Sequence, residues 1–369
     1  LGRVQRGFEI STKRLYDALK DHSSLNVKLF SGGKVDDAQE IINLPRDFLL
    51  NTVLAPITFL NRRRIWEFAY GVEQVSYALF LFSELLKYRP DIVWTKEAPL
   101  AHILYYTRPI LGLKFKLVFA NGGGFKPSTY GIFDHIQQLE ETAIADAVAQ
   151  GVPLSKMTVI PNAVSLRDCP FSKETAKSSF GFASDDWVVL SVAAWNSYHK
   201  RIDFLIDEVA NMGDGAVHLL LCGHPEPDSK RLKQRAREKL GNRAHWHTLP
   251  NEEIPRALRA ADAFVLPSVN EHFGTAALEA IIAALPVVLH KNGATKYLSD
   301  TSLQTTDLTI PGSITQRLSE FRKQPPLNSD LEQLSMIVRS RFGEKAMTDH
   351  FVKMVQSLSV NVDASEKVL

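Results

Sequence analysis

At 369 residues the chain is too long for one ordinary core and suits two domains of roughly 150 residues each. Its 43 basic and 41 acidic side chains leave a formal charge of +2, which excludes the strongly basic surface of a general nucleic-acid binder. Two cysteines, Cys169 and Cys222, exclude a disulfide scaffold and fit a reducing cytoplasm.

Leu1–Gly7 reads as a loop entering a helix over Ser11–Leu19, with a strand expected just before Leu1 and no signal-peptide pattern in view. A strand is predicted over Asn26–Phe30. A long apolar helix follows over Trp66–Leu86, and Glu67, Glu73 and Glu84 within it exclude a membrane span. Further strands are predicted over Asp91–Thr95, Lys116–Ala120 and Thr158–Ile160. The Ser-, Pro- and Asp-rich stretch Asn162–Asp186 reads as a linker. Beyond it, strands over Val188–Ala193, His218–Cys222, Ala263–Pro267 and Pro286–Leu289 alternate with helices over Asp203–Met212, Ser229–Leu240 and Thr275–Ala284. From Leu327 onward the pattern is helical. Strands alternating with helices imply parallel sheets covered on both faces, and the near-continuous Val, Leu and Ile of the strands agree.

The chemistry concentrates in Ala261–Ala280, read as a buried strand, a short loop and a helix start. Ligands of open α/β sheets bind beyond the carboxyl ends of strands, and a helix N-terminus offers free N–H groups to phosphate. Glu279 is the one formal charge between Glu271 and Lys291, on a helix of Ala, Leu and Ile. Buried there it needs partners, and two ribose hydroxyls would satisfy both its oxygens. Taken singly, a partly exposed Glu279 and a helix-start Glu271 have bland explanations; the pair in this context favours a donor site.

Glu271-His-Phe-Gly-Thr-Ala-Ala-Leu-Glu279 resembles the paired-glutamate motif of the family 4 retaining glycosyltransferases. The likeness also covers Gly151–Val164, Val188–Leu205, Leu249–Ser268 and Pro286–Val288. It implies the α/β GT-B architecture, two Rossmann-like parallel-sheet domains facing across a cleft. On that reading residues 1–165 form an acceptor-side domain lacking its first strand, and 166–335 the nucleotide-sugar domain. Residues 336–369 are a helical tail returning to the first domain.

The resemblance also implies roles. Glu271 would contact the transferred sugar and Glu279 the ribose. The backbone N–H groups of Phe273, Gly274 and Thr275 would face the sugar and diphosphate. Lys200 takes the position of a diphosphate-binding lysine. Trp195 stands on the donor side where the family has an arginine, so Arg201 or His199 is expected to supply the missing charge. Gly7 matches a glycine of the phosphate-facing loop. Asn121, Gly122 and Gly123, with Gly124, follow a buried strand and read either as an anion nest on the acceptor side or as a plain loop. Transfer of this kind needs no metal and no cofactor.

Two other constellations invite weaker readings. His245 and His247 share a strand face but lack a third ligand at metal-site spacing. Arg62–Phe68 combines cations with aromatics and suits either a solvated helix start or contact with an anionic membrane surface. The expectation is a cytoplasmic hexosyltransferase, working at the inner face of a membrane. It would move glucose from UDP-glucose to a growing or lipid-linked glycan of envelope or extracellular polysaccharide. A nucleotide-sugar epimerase of the same architecture and a non-catalytic nucleotide-sugar binder remain the alternatives.

Overall fold

The computed structural model describes residues 7–54, 62–122, 125–271, 273–291 and 298–365. The loop expected at Leu1–Gly7 lies outside them except for Gly7, and so do Gly123 and Gly124. The chain divides into two compact units, Leu1–Ala163 with Glu344–Leu369, and Val164–Gly343.

In the first unit α1 (Gly7–Leu19) precedes two short paired strands, β1 (Phe30–Ser31) and β2 (Gln39–Glu40). The strand expected over Asn26–Phe30 thus survives only at its last residue, because Phe30 and Ser31 alone meet a partner. The single turn α2 (Arg46–Phe48) and the long helix α3 (Arg62–Tyr88) follow. Then come β3 (Ile92–Thr95), α4 (Ala98–Thr107), β4 (Lys116–Asn121), β5 (His135–Gln138), α5 (Glu141–Ala149) and β6 (Met157–Val159). Strands β3 to β6 pair in parallel in sequence order.

Strand β5 escapes sequence reading because it is polar, His-Ile-Gln-Gln, yet all four residues are buried. Its polar groups are satisfied: Gln137 donates to the Ile160 carbonyl at 2.8 Å, and His135 Nε2 lies 2.8 Å from Thr158 Oγ1. Burial, with the Lys156 charge second, pushes the His135 imidazole down to about 4. The unfolded chain takes that proton first, near pH 6.5. Stability from the neutral ring is therefore complete above pH 6.5 and is lost between 6.5 and about 4, to a limit of about 3 kcal/mol. Urea midpoints at pH 7.5 and pH 5 should diverge more for the native chain than for His135→Gln; equal divergence would rule this source out.

In the second unit α6 (Lys173–Ser179) lies inside the stretch read as a linker. Ser172 caps it by accepting the Thr175 N–H at 3.2 Å. Lys177, almost fully buried, sits 3.0 Å from Asp262, so the segment is packed structure. The rest alternates strictly: β7 (Trp187–Val192), α7 (Ile202–Ala210), β8 (Val217–Cys222), α8 (Ser229–Leu240), β9 (Ala244–His247), α9 (Ile254–Ala260), β10 (Ala263–Leu266), α10 (Thr275–Ile282) and β11 (Val287–Leu289). Helices α11 (Ser313–Lys323) and α12 (Asn328–Phe342) complete it. The five parallel strands run in the order β11-β10-β7-β8-β9. Ile202, Leu205, Ile206 and Val209 put one stripe of α7 against alternate residues of the strands, Val189, Leu219, Leu221 and Val265 among them.

The switch back to the first unit falls at Gly343, not at 336. Helix α12 belongs wholly to the second unit, where Ser335 Oγ donates to the Ile282 carbonyl at 2.8 Å. Helix α13 (Glu344–Ser365) then packs on α1 in the first unit through Leu15, Leu19, Met347 and Phe351. His245 and His247 pack against Phe182 and Phe180, just beyond α6, and His245 Nε2 lies 3.2 Å from His218 Nδ1. Among the described residues no three His, Cys, Asp or Glu side chains gather as a metal site, and no helix is long and apolar enough to cross a membrane.

Candidate functional site

In the second sheet the chain runs from β7 outward through β8 and β9, then returns to the other side for β10 and β11. β7 and β10 therefore flank the point where the strand order reverses. The carboxyl ends of strands at such a point form the ligand crevice of open parallel sheets. Two loops meet there, 193–201 after β7 and 267–274 after β10.

Asn196 shapes the first loop. It is 2% exposed, and its Oδ1 accepts the N–H groups of His199 at 3.1 Å and Lys200 at 2.7 Å. Its Nδ2 donates to Glu226 at 3.1 Å. The side chain thus substitutes for backbone in a turn, as asparagine can. That turn directs three consecutive side chains at the second loop. His199 Nε2 lies 3.0 Å from the Asn270 carbonyl. Lys200 Nζ lies 2.5 Å from Glu271 Oε2, both side chains less than a fifth exposed. Arg201 Nη1 donates to the carbonyls of Pro267 at 3.1 Å and Leu308 at 2.7 Å. Arg201 itself has φ 50°, left-handed for a non-glycine residue, and sits at the N-cap of α7.

The Leu308 segment is fixed from other directions too. Its N–H donates to His290 Nδ1 at 3.1 Å. The buried Glu208 carboxylate accepts the N–H groups of Gly312 at 2.6 Å and Thr315 at 2.9 Å at the start of α11, where a helix favours negative charge. Asn196, His290 and Glu208 were not singled out from the sequence. Only Asn196, beside Ser and ahead of a Lys-Arg helix start, carried a turn signal.

The second loop ends at Gly274, with φ 71° at the N-cap of α10. A side chain would be strained there, so the glycine lets the loop turn into the helix. Phe273 is buried and packs edge-on against Phe342 at 5.8 Å. Thr275 opens α10, and Glu279 stands one turn in, 7% exposed. Nearby, Ser268 is 2% exposed.

Trp195 departs from its expected donor-side place. Its indole is 3% exposed in the core of the second unit, edge-on to Trp246 at 5.1 Å and with Lys233 4.8 Å above its ring. A large apolar ring gains more from that core than from a polar ligand site. The cation on Glu271 is Lys200, and Arg201 follows it in the same loop.

The remaining predicted residues lie in the first unit. Gly7 opens α1, where the first backbone N–H groups of the helix lack helical partners. Asn121 ends β4, 6% exposed, and donates to Tyr130 Oη at 2.8 Å and Gln138 at 3.0 Å. It ties neighbouring strand ends together. Gly122 is exposed and not in the left-handed conformation an anion nest requires of one residue. Lys96, missed by the sequence reading, donates to Ser11 Oγ at 2.5 Å, and burial pushes it down to about 8.

Two parallel-sheet units with this site define an α/β protein of the GT-B class. Residues 172–301 match the model of the glycosyl transferases group 1 family. It is 28% identical over 185 residues to a 2-deoxystreptamine glucosyltransferase of Streptomyces kanamyceticus, covering 48% of this chain and 47% of that one. It is also 28% identical over 138 residues to the lipopolysaccharide glucosyltransferase WaaG of Escherichia coli K12, covering 37% of each. The matched stretches thus span less than half of either relative. The structure of Anabaena Alr3699/HepE with UDP and glucose superposes with a TM-score of 0.72 at 16% identity, over 95% of this chain and 96% of that one.

Proposed function

We propose that the chain is a retaining glycosyltransferase moving a hexose, glucose from UDP-glucose, to a growing or lipid-linked glycan. The observation that carries this reading is the Lys200–Glu271 pair at the strand-order reversal, beside the N-terminus of α10. The diphosphate would lie against the N–H groups of Phe273, Gly274 and Thr275, where the helix dipole favours negative charge. Lys200 would neutralise the leaving group. Glu271 would hold the sugar hydroxyls and Glu279 the ribose. Arg201 acts as a positioning residue, since its Nη1 is held by two carbonyls.

The acceptor hydroxyl would attack the anomeric carbon from the face the diphosphate leaves. The bond from that carbon to the diphosphate oxygen breaks as the bond to the acceptor oxygen forms. The acceptor proton passes to a diphosphate oxygen. The protein's contribution is positioning and charge stabilisation. The similar WaaG is a lipopolysaccharide glucosyltransferase and the similar Alr3699/HepE holds UDP and glucose, which supports this choice of donor and acceptor. A lipid-linked acceptor would bring the enzyme to the inner face of a membrane. Phe68, Val75 and Leu79, all at least half exposed along one stripe of α3, suit such contact.

A melting panel with UDP, GDP, ADP and dTDP tests the donor. UDP at a hundred times its Kd should add about 2.7 kcal/mol of stability. No stabilisation by any nucleotide would sink the reading. Glu279→Ala should weaken UDP binding about 10- to 100-fold, the worth of hydrogen bonds to a charged group, and more than Lys200→Ala does. Equal losses would count against the ribose assignment. Release of an epimer without acceptor would favour the epimerase, and binding without turnover the non-catalytic binder.

A further inference from the structure

A second group of ligand-type side chains lies in the first unit, at the carboxyl end of β3. Glu97 follows the strand by two residues, and its N–H donates to Thr95 Oγ1 at 3.0 Å. Its carboxylate accepts a hydrogen bond from the Tyr70 hydroxyl. Trp66, Tyr70 and Glu73 stand at successive turns of α3, so they share a face. The Trp66 and Tyr70 rings stack with centroids 5.4 Å apart and planes 25° apart. The Arg46 guanidinium lies over both, 4.8 Å from the Trp66 ring and 5.1 Å from Tyr70, and its Nε is 3.7 Å from Glu73.

We propose that Trp66, Tyr70, Arg46, Glu73 and Glu97 form a binding subsite for a neutral sugar residue of the acceptor glycan. The proposal rests on the glycosyl-transfer reading and names the acceptor-side groups that reading lacks. The chemistry fits a pyranose. The apolar C–H face of a sugar ring stacks on an indole, and Trp66 keeps 45% of its surface in water. A carboxylate accepts from two vicinal hydroxyls, and Glu97 is held for that by one bond from Tyr70. The guanidinium donates to ring or hydroxyl oxygens. A phosphate would meet the Glu73 and Glu97 carboxylates, so a neutral sugar suits the group better than a phosphorylated one. The carboxyl end of a parallel strand is also where such sheets place their ligands.

Saturation-transfer NMR on the full chain tests this, with methyl α-glucopyranoside, methyl α-mannopyranoside and glucose 6-phosphate as probes. The methyl hexosides should receive saturation from the native chain and glucose 6-phosphate much less. Trp66→Ala and Glu97→Gln should cut that transfer at least fivefold while UDP still raises the melting temperature as before. Tyr70→Phe, which removes only the hydroxyl holding Glu97, should weaken it in a protein of unchanged fold. Undiminished transfer in all three variants would overturn the subsite, as would silence from every hexoside in the native chain. So would a loss of UDP stabilisation in Trp66→Ala matching the loss of hexoside. The UDP response of the native chain reads the donor assignment separately. Hexoside signal lost on Trp66→Ala supports the subsite whichever way that response falls.

Discussion

Replacing Lys200 by alanine is expected to lower turnover by about 10²–10³-fold, with a smaller effect on stability. The ammonium is the cation paired with Glu271, at 2.5 Å, beside the helix N-terminus assigned to the diphosphate. A group placed to stabilise departing charge acts mainly in the transition state, and removing one such donor typically costs that much rate. Stability should move less than rate, because both side chains keep some contact with water and Glu271 can hydrate once its partner is gone. Lys200→Arg should recover only part of the rate, since a planar fork cannot reproduce a point charge in the same turn. Steady-state rates with UDP-glucose as donor measure both variants. Turnover of Lys200→Ala within threefold of native would remove Lys200 from the chemistry and leave the His199 and Arg201 contacts as the loop's purpose.

The second large effect is on folding. A Cβ on Gly223 would stand 1.8 Å from the Ala193 carbonyl oxygen and 3.2 Å from Trp195 Nε1. The clash is with backbone, which cannot rotate away. Just there β7 and β8 run on past their strand ends: Ala193 N–H donates to the Cys222 carbonyl, and Trp195 N–H to that of His224. Making room means parting these chains or displacing the buried indole. Overpacking of this kind costs about 3 kcal/mol or more, which for a unit of this size lowers the melting temperature by about 6–12 °C. Nucleotide stabilisation should shrink with it, because the same backbone carries the loop that presents Lys200. Gly215→Ala, with nothing near its added carbon, is the control and should melt as the native chain does. A Gly223→Ala chain of native stability would mean that the strand ends part at little cost.

Much of this was legible in the residues. The buried runs of β7, β8, β10 and β11 announce strands within a residue or so of their ends, because strands covered on both faces need continuous apolar side chains. Helix α8 was read at Ser229–Leu240 from its periodicity, the span it has. Glu279 stood out because a lone charge on an apolar helix needs a reason, and Glu271 through the motif it forms with Glu279. Other features gave no such signal. β5 is a strand through long-range pairing of a polar sequence, and α6 hid in a stretch where Ser172 acts as a cap. The Arg46–Trp66–Tyr70–Glu97 group joins side chains from α2, from α3 and from the end of β3.

The sequence alone determined the alternation of strands and helices and the loop–helix that carries Glu279, since these follow from local pattern, while Lys200 stood out only through the family resemblance. Only the tertiary structure decided where each side chain points. It turned the Trp195 indole into the core and used the Arg201 guanidinium to hold two carbonyls. It set Asn196 under the turn that brings Lys200 to Glu271, 71 positions away in the chain. Local preference can choose helix or strand, but a side chain's direction is settled by which burial and which hydrogen bonds the whole unit leaves open to it.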